Sequence, residues 1–141
     1  MSLFDLAALL LTLSAMSVSI LVVDDELDLF RQRFRREVRQ GLYALHFAHS
    51  GEAALRMLSE GIRPELIVIL SDINMPGMDG LALLSKIKQR WPELRVIMVT
   101  AYGDEERRRV AGECGAADFL VKPVDFDVLK QHLLQLPGAP G

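Results

Sequence analysis

Four short apolar runs of the chain are each followed by charged or polar residues, and side chains of these kinds can form a reactive site. Asp24 and Asp25 come directly after SILVV, and Asp72 follows LIVILS. Thr100 follows LRVIMV, and Lys122 follows ADFLV. If these runs are parallel strands, their carboxyl ends meet at one edge of a sheet, where open α/β folds bind their ligands. We therefore expect one crevice that holds three carboxylates, a hydroxyl and an ammonium group.

The three carboxylates of this set predict a metal site. Acids this close repel one another, and one of them tends to keep its proton unless a cation lies between them. Oxygen ligands with an open coordination sphere suit Mg²⁺, which retains several waters and shares its site with phosphate oxygens. The sequence therefore predicts Mg²⁺ beside Asp24, Asp25 and Asp72.

The same side chains could transfer a phosphoryl group. A carboxylate can act as a nucleophile and form an aspartyl-phosphate, and we assign this role to Asp72, which lies within the stretch VILSDINMPGMDG. Lys122 offers a compact positive charge, and Thr100 offers a hydroxyl that can donate to a phosphoryl oxygen. Phosphoryl transfer depends mainly on positioning and charge neutralisation, which this set can provide.

Each of these residues also has an ordinary structural interpretation. An aspartate at the end of a strand is often the N-cap of the next helix. A threonine at the end of a strand is common, and a Lys-Pro pair usually forms a turn. The convergence of all of them on one edge of a predicted sheet favours a site.

The order of the apolar runs predicts an α/β fold. Short β-branched runs alternate with segments of helical spacing, which is typical of a parallel sheet with helices on both faces. The first, third and fourth runs are the most apolar and belong at the centre, whereas the mixed second run suits an edge. We therefore predict a doubly wound five-stranded parallel sheet in the flavodoxin-like order 2-1-3-4-5. The predicted strands are Ser19–Val23, Leu42–His49, Leu66–Leu70, Leu94–Val99 and Ala117–Val121.

Five helices are predicted, one after each strand. Four apolar residues share one face of the first helix and five arginines surround the other, which we interpret as a solvated surface. Ser50 is the expected N-cap of the second helix, and Glu105 and Arg109 are spaced to form an ion pair in the fourth. The apolar face of the first helix comprises Leu27, Phe30, Phe34 and Val38.

The length and composition predict a single domain. The chain has 141 residues and a formal net charge of −3, which gives no sign of direct nucleic-acid binding. Its single cysteine, Cys114, excludes a disulfide framework and a cysteine metal site, and this suits the cytoplasm. We place the domain at residues 18–136 and interpret residues 137–141 as a tail or linker stub.

The apolar extension at residues 1–17 allows several interpretations. Its core, Leu3–Met16, is too short for a membrane span and lacks the positively charged start of a secretory signal. The alternatives are an extra helix, which packs on this domain or on a second copy, and a poorly ordered tail or upstream start. Because an exposed apolar helix needs a partner, the segment favours a homodimer.

Taken together, the site residues resemble those of the receiver domains of two-component response regulators. The pattern D-x-x-M-P-x-x-D-G is specific to that family when the paired acids and the strand-end Thr and Lys accompany it. The resemblance extends over about residues 17–136. The matching residues are Asp24-Asp25, Asp72–Gly80, Thr100-Ala101 and Lys122-Pro123.

The resemblance implies roles for the acidic residues. Asp72 would accept a phosphoryl group from a phosphohistidine on a sensor histidine kinase or a phosphotransfer protein. Asp25, Asp72 and the backbone carbonyl of Asn74 would hold Mg²⁺, with Asp24 acting through water. Such a domain is not an enzyme in the usual sense, because it catalyses only its own phosphorylation and dephosphorylation.

The resemblance also implies a conformational switch. Thr100 and Lys122 would contact the phosphoryl oxygens, and the Lys122–Pro123 bond would be cis. Phe119 occupies the family's switch position, and it would fill the space that Thr100 leaves when phosphorylation draws it inward. This movement would repack the face formed by the helix after strand 4, strand 5 and the last helix.

Two further positions affect the lifetime of the phosphoryl group in this family. They lie two residues after the acceptor and two residues after Thr100, at Asn74 and Tyr102. We hypothesise that Tyr102 shields the phosphoryl group from attacking water.

Three other functional classes are compatible with a similar fold. An aspartyl phosphohydrolase of the haloacid dehalogenase-like group would place an aspartate two residues after the nucleophile, where this chain has Asn74. A nucleotide or flavin binder would need a glycine-rich loop after strand 1, where this chain has Asp24-Asp25-Glu26. A phosphorylation-independent interaction module is the remaining alternative. The downstream effector is not visible in the sequence, and neither a nucleic acid nor a membrane is an expected partner.

Overall fold

Five parallel strands form the centre of the computed structural model, which describes residues 18–101 and 103–136. The strands lie in the order β2-β1-β3-β4-β5, as the sequence predicts. β1, β3 and β4 are buried along their whole length, whereas β2 and β5 form the edges. The strands are β1 (Val18–Val23), β2 (Tyr43–Ala48), β3 (Val68–Asp72), β4 (Val96–Thr100) and β5 (Asp118–Val121). The predictions for residues 1–17, Tyr102 and residues 137–141 lie outside the described residues.

Helices cover both faces of the sheet, and the first predicted helix is divided in two. Phe34 separates its two parts, with a φ of −104° and a ψ of 3°. Helical hydrogen bonds continue on both sides, from the amide of Phe34 to Phe30 and from the amide of Val38 to Phe34, so the departure is local. The helices are α1 (Asp28–Arg33), α2 (Arg35–Arg39), α3 (Gly51–Glu60), α4 (Gly80–Arg90), α5 (Glu105–Glu113) and α6 (Phe126–Leu134).

Alternating side chains of the central strands build two separate cores. Ile20 and Val22 of β1 pack toward α1 and α6, whereas Leu21 and Val23 pack toward α3, α4 and α5. This is the two-residue period of a strand that is buried on both faces. The sheet is therefore held from both sides, and its carboxyl edge is a rigid platform.

The first core is organised around an aromatic cluster. The ring of Phe34 lies edge-on to Tyr43 at 5.1 Å and to Phe126 at 6.0 Å, and it is only 1% exposed. Val38 is 41% exposed, so the predicted apolar face of the first helix ends at Phe34. The cluster joins the segment after β1 to the last helix, and thereby positions the loops that follow β1 and β5.

Local side-chain contacts at the helices agree only in part with the sequence predictions. The hydroxyl of Ser50 accepts a hydrogen bond from the amide of Ala53 at 3.1 Å, so the predicted cap of α3 is confirmed. The predicted pair of Glu105 with Arg109 is wrong, because Arg109 pairs with Glu106 and Glu113 on its exposed helix face. None of the described helices is long and apolar enough to cross a membrane.

Candidate functional site

The ends of β1 and β3 bring three carboxylates together. Strand pairing sets Val23 beside Ser71, so the residues that follow them, Asp24 and Asp72, are neighbours. One carboxylate oxygen from each of Asp24, Asp25 and Asp72 lies within 4.8 Å of the others. Asp24 and Asp72 are 6% and 3% exposed, and Asp25 is open to solvent. The cluster is thus buried at its base and accessible at its rim.

Asp24 and Asp72 accept hydrogen bonds within the turns that follow their strands, but neither is the N-cap of a helix. Asp24 Oδ1 accepts a hydrogen bond from the amide of Glu26, and Asp72 Oδ1 accepts one from the amide of Asn74, both at 3.1 Å. The N-caps of α1 and α4 are Leu27 and Asp79. The strand-end aspartates therefore keep carboxylate oxygens that no helix cap engages.

Burial and neighbouring acids perturb Asp24. Its pKa is raised from the ordinary value of 3.8 to about 6, first because burial disfavours the charged form and then because of a hydrogen bond with Asp25. The charge of Asp72 raises this pKa further, and the amide of Glu26 and the charge of Lys122 partly oppose it. The direction of this shift agrees with the expectation that one of three close acids binds its proton more tightly than a free acid does.

Lys122 provides the cation of the site. Its Nζ donates to Asp72 Oδ2 at 2.5 Å from the end of β5. Burial lowers the pKa of Lys122, but the hydrogen bond and charge of Asp72 outweigh burial and hold that pKa above its ordinary value. The following Lys122–Pro123 bond is cis, as the family resemblance implies. Asp72 is therefore a buried carboxylate that is paired with a partly exposed cation.

The donor set fits Mg²⁺. All of its side-chain ligands are carboxylate oxygens, and opposite ligands around this ion stand roughly 4.2 Å apart. One oxygen from each of the three acids lies within 4.8 Å of the others, close enough for all three to share one ion. Within residues 18–101 and 103–136, neither Asp24 nor Asp25 forms an ion pair like the one between Asp72 and Lys122. A divalent cation would relieve the repulsion that raises the pKa of Asp24.

Thr100 lies at the end of β4 with its hydroxyl turned away from the carboxylates. The residue is buried, and its Oγ1 donates to the carbonyl of Leu120 in β5 at 3.4 Å. A small cavity of about 130 Å³ adjoins it, lined in part by Ala101, Arg108 and Val121. Thr100 thus belongs to the same edge of the sheet, but its hydroxyl is not part of the carboxylate cluster.

Phe119 is half-buried between β5 and α5. It packs against the second core, and the guanidinium of Arg108 lies 4.9 Å from the centre of its ring. A Cβ added at Gly112 would meet the tip of this ring at 3.8 Å, so the ring lies close to the helix backbone. The Phe119 side chain of β5 is therefore packed directly against α5.

The loop after Asp72 returns to pack directly on the acceptor. The amide of Gly80 donates to the carbonyl of Ile73 at 2.8 Å. A Cβ at Gly80 would lie 2.1 Å from the carbonyl oxygen of Asp72, a distance that no side chain can tolerate. Glycine is therefore required here because two backbone segments are in contact, and this contact holds the backbone of Asp72 against the start of α4.

Arg107 is a residue of this region that the sequence reasoning missed. Its guanidinium donates to Asn74 Oδ1 at 2.8 Å, to Asp79 Oδ2 at 3.1 Å and to the carbonyl of Ile73 at 3.5 Å. In the sequence it belongs to a run of three arginines on a charged helix, and nothing in its spacing distinguishes it from its neighbours. Only the fold brings α5 against the acceptor loop.

A groove of about 850 Å³ opens from the acidic cluster along α1 and the loop between β5 and α6. Its walls are mainly apolar, and Lys122 stands at the end nearest Asp72. Leu29, at 50% exposed, lies at its rim. The apolar lining includes Leu27, Phe30, Pro123, Val124 and Phe126. The crevice is thus continuous with a mainly apolar groove.

The family model and the related sequences that match this chain all belong to response regulators. Residues 20–134 match the response regulator receiver domain. The response regulator protein FleR of Pseudomonas aeruginosa is 40% identical over 129 residues, which cover 88% of this chain and 26% of that protein. The DNA-binding transcriptional regulator NtrC of Salmonella typhimurium is 43% identical over 106 residues, which cover 75% of this chain and 22% of that protein. The chain spans about a quarter of the length of these relatives.

Solved structures give the same answer. The receiver domain of NtrX from Brucella abortus superposes with a TM-score of 0.68 at 32% identity, covering 82% of this chain and 98% of that one. The chemotaxis protein CheY4 of Vibrio cholerae superposes with a TM-score of 0.72 at 26% identity, covering 86% and 99%. With the 2-1-3-4-5 sheet and the acidic crevice already described, these matches show that the chain belongs to the response regulator receiver domain family, the signalling modules of two-component systems.

Proposed function

We propose that Asp72 of this chain accepts a phosphoryl group from a phosphohistidine on a sensor histidine kinase or phosphotransfer protein. The observation that supports the proposal best is the setting of Asp72, a buried carboxylate in contact with Lys122 and beside two further carboxylates. Three carboxylates at one point are unfavourable for folding, so packing alone does not explain why two more acids lie beside the buried Asp72.

The transfer is an in-line displacement at phosphorus. A carboxylate oxygen of Asp72 attacks the phosphoryl group, the bond from phosphorus to the histidine nitrogen breaks, and the imidazole keeps that electron pair and takes up a proton. Lys122 then shifts from the free carboxylate toward a phosphoryl oxygen and continues to offset negative charge. Mg²⁺, when bound by Asp24, Asp25, Asp72 and the backbone carbonyl of Asn74, would supply further charge neutralisation.

Phosphorylation would be transmitted through Thr100 and Phe119. The Thr100 hydroxyl now donates over a long 3.4 Å distance to Leu120, so little is lost when it turns to a phosphoryl oxygen instead. The Phe119 ring, which now lies 4.9 Å from the guanidinium of Arg108, would then move into the cavity beside Thr100, which Arg108 also lines. We propose that this exchange repacks the face formed by α5, β5 and α6.

The groove beside α1 is the proposed docking surface for the phosphohistidine partner. It opens at Lys122 and the carboxylates, so a donor seated there would present its phosphoryl group directly to Asp72. Its apolar lining, with exposed Leu29 at the rim, suits the apolar face of a helix.

The wider context of the domain is also a proposal. We assign residues 18–136 to a cytoplasmic receiver domain, with the apolar extension and the tail outside it. We also propose that the chain forms a homodimer, which the apolar extension favours. The proposed shielding role of Tyr102 concerns a residue outside the described part of the chain.

Incubation with Mg²⁺ and acetyl phosphate, followed by intact-mass measurement, tests the proposal. We expect one phosphoryl adduct on the native chain and none on Asp72→Asn or after chelation of the metal. Thr100→Val is the matched variant, because it should still form the adduct while losing the hydroxyl contact. Absence of an adduct on the native chain would contradict the proposal and favour a phosphorylation-independent interaction module.

A further inference from the structure

The guanidinium of Arg107 connects α5 to the loop that carries the phosphoryl acceptor. Nη1 donates to Asn74 Oδ1 at 2.8 Å, and Nη2 donates to Asp79 Oδ2 at 3.1 Å. Nη2 also lies 3.5 Å from the carbonyl of Ile73, the residue directly after the acceptor. The Arg107 side chain is about one-third exposed, at 34%, so these contacts are partly shielded from water. One side chain thus engages three groups of a single short loop.

Asn74 stands at the entrance to the acceptor. Its backbone N–H donates to Asp72 Oδ1, so its side chain begins next to the buried carboxylate. Asn74 is exposed, whereas Asp72 is 3% exposed, so water beside the buried acceptor can contact the Asn74 side chain. An amide oxygen at this point could accept a hydrogen bond from such a water and orient it for attack.

Arg107 donates a hydrogen bond to the side-chain oxygen of Asn74. A guanidinium donor at 2.8 Å is a short, charge-assisted partner, stronger than a water would be. Its second arm holds Asp79, whose other oxygen caps α4 through the amide of Ala82 at 2.9 Å, so the guanidinium is fixed by a rigid helix end. Asn74 is therefore held with its acceptor atom engaged.

We infer that Arg107 is a positioning residue, which lengthens the life of the aspartyl-phosphate by keeping the Asn74 amide oxygen from orienting the hydrolytic water. The inference rests on the proposed acceptor role of Asp72. In hydrolysis a water oxygen attacks phosphorus and the bond from phosphorus to the Asp72 carboxylate oxygen breaks. Asp72 regains its carboxylate, and inorganic phosphate leaves with the water's proton lost to solvent.

A double-mutant cycle on the decay of the adduct tests this role. The four chains are native, Arg107→Met, Asn74→Ala and the double variant, each loaded with acetyl phosphate and Mg²⁺, freed of donor and followed by intact mass. Arg109→Met is the matched control, because Arg109 lies on the same helix and pairs with Glu106 and Glu113 on its exposed face. The extent of loading is recorded first, so loss of the acceptor function is distinguished from loss of the positioning role.

We expect Arg107→Met to speed decay by roughly threefold to tenfold, the range of a direct side-chain coupling. In the Asn74→Ala background the same substitution should leave decay unchanged, and Arg109→Met should decay like the native chain. An equal acceleration in both backgrounds, or none in either, would overturn the inference while leaving the acceptor role intact. A native chain that takes up no phosphoryl group would instead overturn the proposed function, and the inference with it.

Two further variants separate positioning from stability. If Arg107→Met does not fold, Arg107→Lys decides. A single ammonium cannot hold both Asn74 and Asp79, so this variant should decay faster than the native chain, by about twofold to threefold, and native decay would overturn the inference. Asp79→Ser keeps a cap for α4 and leaves the Asn74 contact, so it should decay at nearly the native rate. Acceleration by Asp79→Ser as large as that by Arg107→Met would show that the helix cap, and not Asn74, sets the lifetime.

Discussion

Replacing Asp24 with asparagine should stabilise the metal-free chain. The folded environment raises the pKa of Asp24 from 3.8 to about 6, mainly through burial. The ionised form is therefore disfavoured by folding, by at most roughly 3 kcal/mol for a pKa difference of this size. Water in the crevice reduces that figure, and we expect Asp24→Asn to raise the free energy of unfolding by about 1–2 kcal/mol at pH 7.5. Asn retains the oxygen that accepts the hydrogen bond from Glu26.

The effect has a defined pH dependence. An acid whose pKa is raised by folding binds its proton more tightly in the folded chain, so its favourable contribution is present below about pH 4. That contribution is lost as the pH rises through about 6. The advantage of Asp24→Asn over the native chain should therefore be small at pH 4.5, grow up to pH 6 and level off above pH 7.

Thermal unfolding in a chelator measures this directly. A gain of 1–2 kcal/mol corresponds to an increase in Tm of about 4–10 °C for a domain of this size. Asp25→Asn is the matched control, because Asp25 is solvent-exposed and its replacement should change Tm less. Addition of Mg²⁺ should narrow or reverse the advantage, since an amide is a poorer ligand than a carboxylate and bound metal stabilises only the folded state. An advantage that is absent at pH 7.5, or equally large at pH 4.5, would refute the reasoning.

Three further substitutions follow from the packing and the caps. Gly80→Ala should lower the free energy of unfolding by about 2–3 kcal/mol, because its Cβ would overlap the carbonyl of Asp72; urea unfolding without a change in midpoint would contradict this. Phe34→Ala should lower the free energy of unfolding by about 3–5 kcal/mol, because the buried aromatic cluster is lost. Phosphoryl uptake per folded chain should stay at the native level. A decrease below about 1 kcal/mol would show that the cluster is loosely packed. Ser50→Ala should lower stability by about 1 kcal/mol by removing the cap at the Ala53 amide, and an unchanged urea midpoint would show that water replaces the cap.

The strands could be predicted because their sequence pattern is strong. Buried parallel strands require continuous apolar runs, and all five runs are strands in the structure. Their ends were less certain in the sequence, since β3 and β4 continue through Asp72 and Thr100 themselves. The backbone ladder does not depend on side-chain polarity: the amide of Ile73 still donates to the carbonyl of Val99. A hydropathy pattern therefore places a strand but not its last residue.

Contacts between side chains from distant elements were harder to predict. Glu105 and Glu106 are both spaced to reach Arg109, and only the rotamers of the folded helix select Glu106 and Glu113. The meeting of Arg107 with Asn74 joins residues 33 positions apart, and it depends on how α5 lies against the loop after β3. Strand ends converge by the topology of the sheet, and so the carboxylate cluster was predictable where the Arg107 contact was not.

The most direct test of the account identifies the phosphorylated atom by chemistry. An aspartyl-phosphate is an acyl phosphate, and borohydride reduces it to the alcohol, so a phosphorylated aspartate becomes homoserine. The chain is loaded with acetyl phosphate and Mg²⁺, reduced, digested and sequenced by mass spectrometry. The account predicts homoserine at position 72 alone. Homoserine at position 24 or 25, or an unmodified position 72 in a chain that carries the adduct, would contradict it.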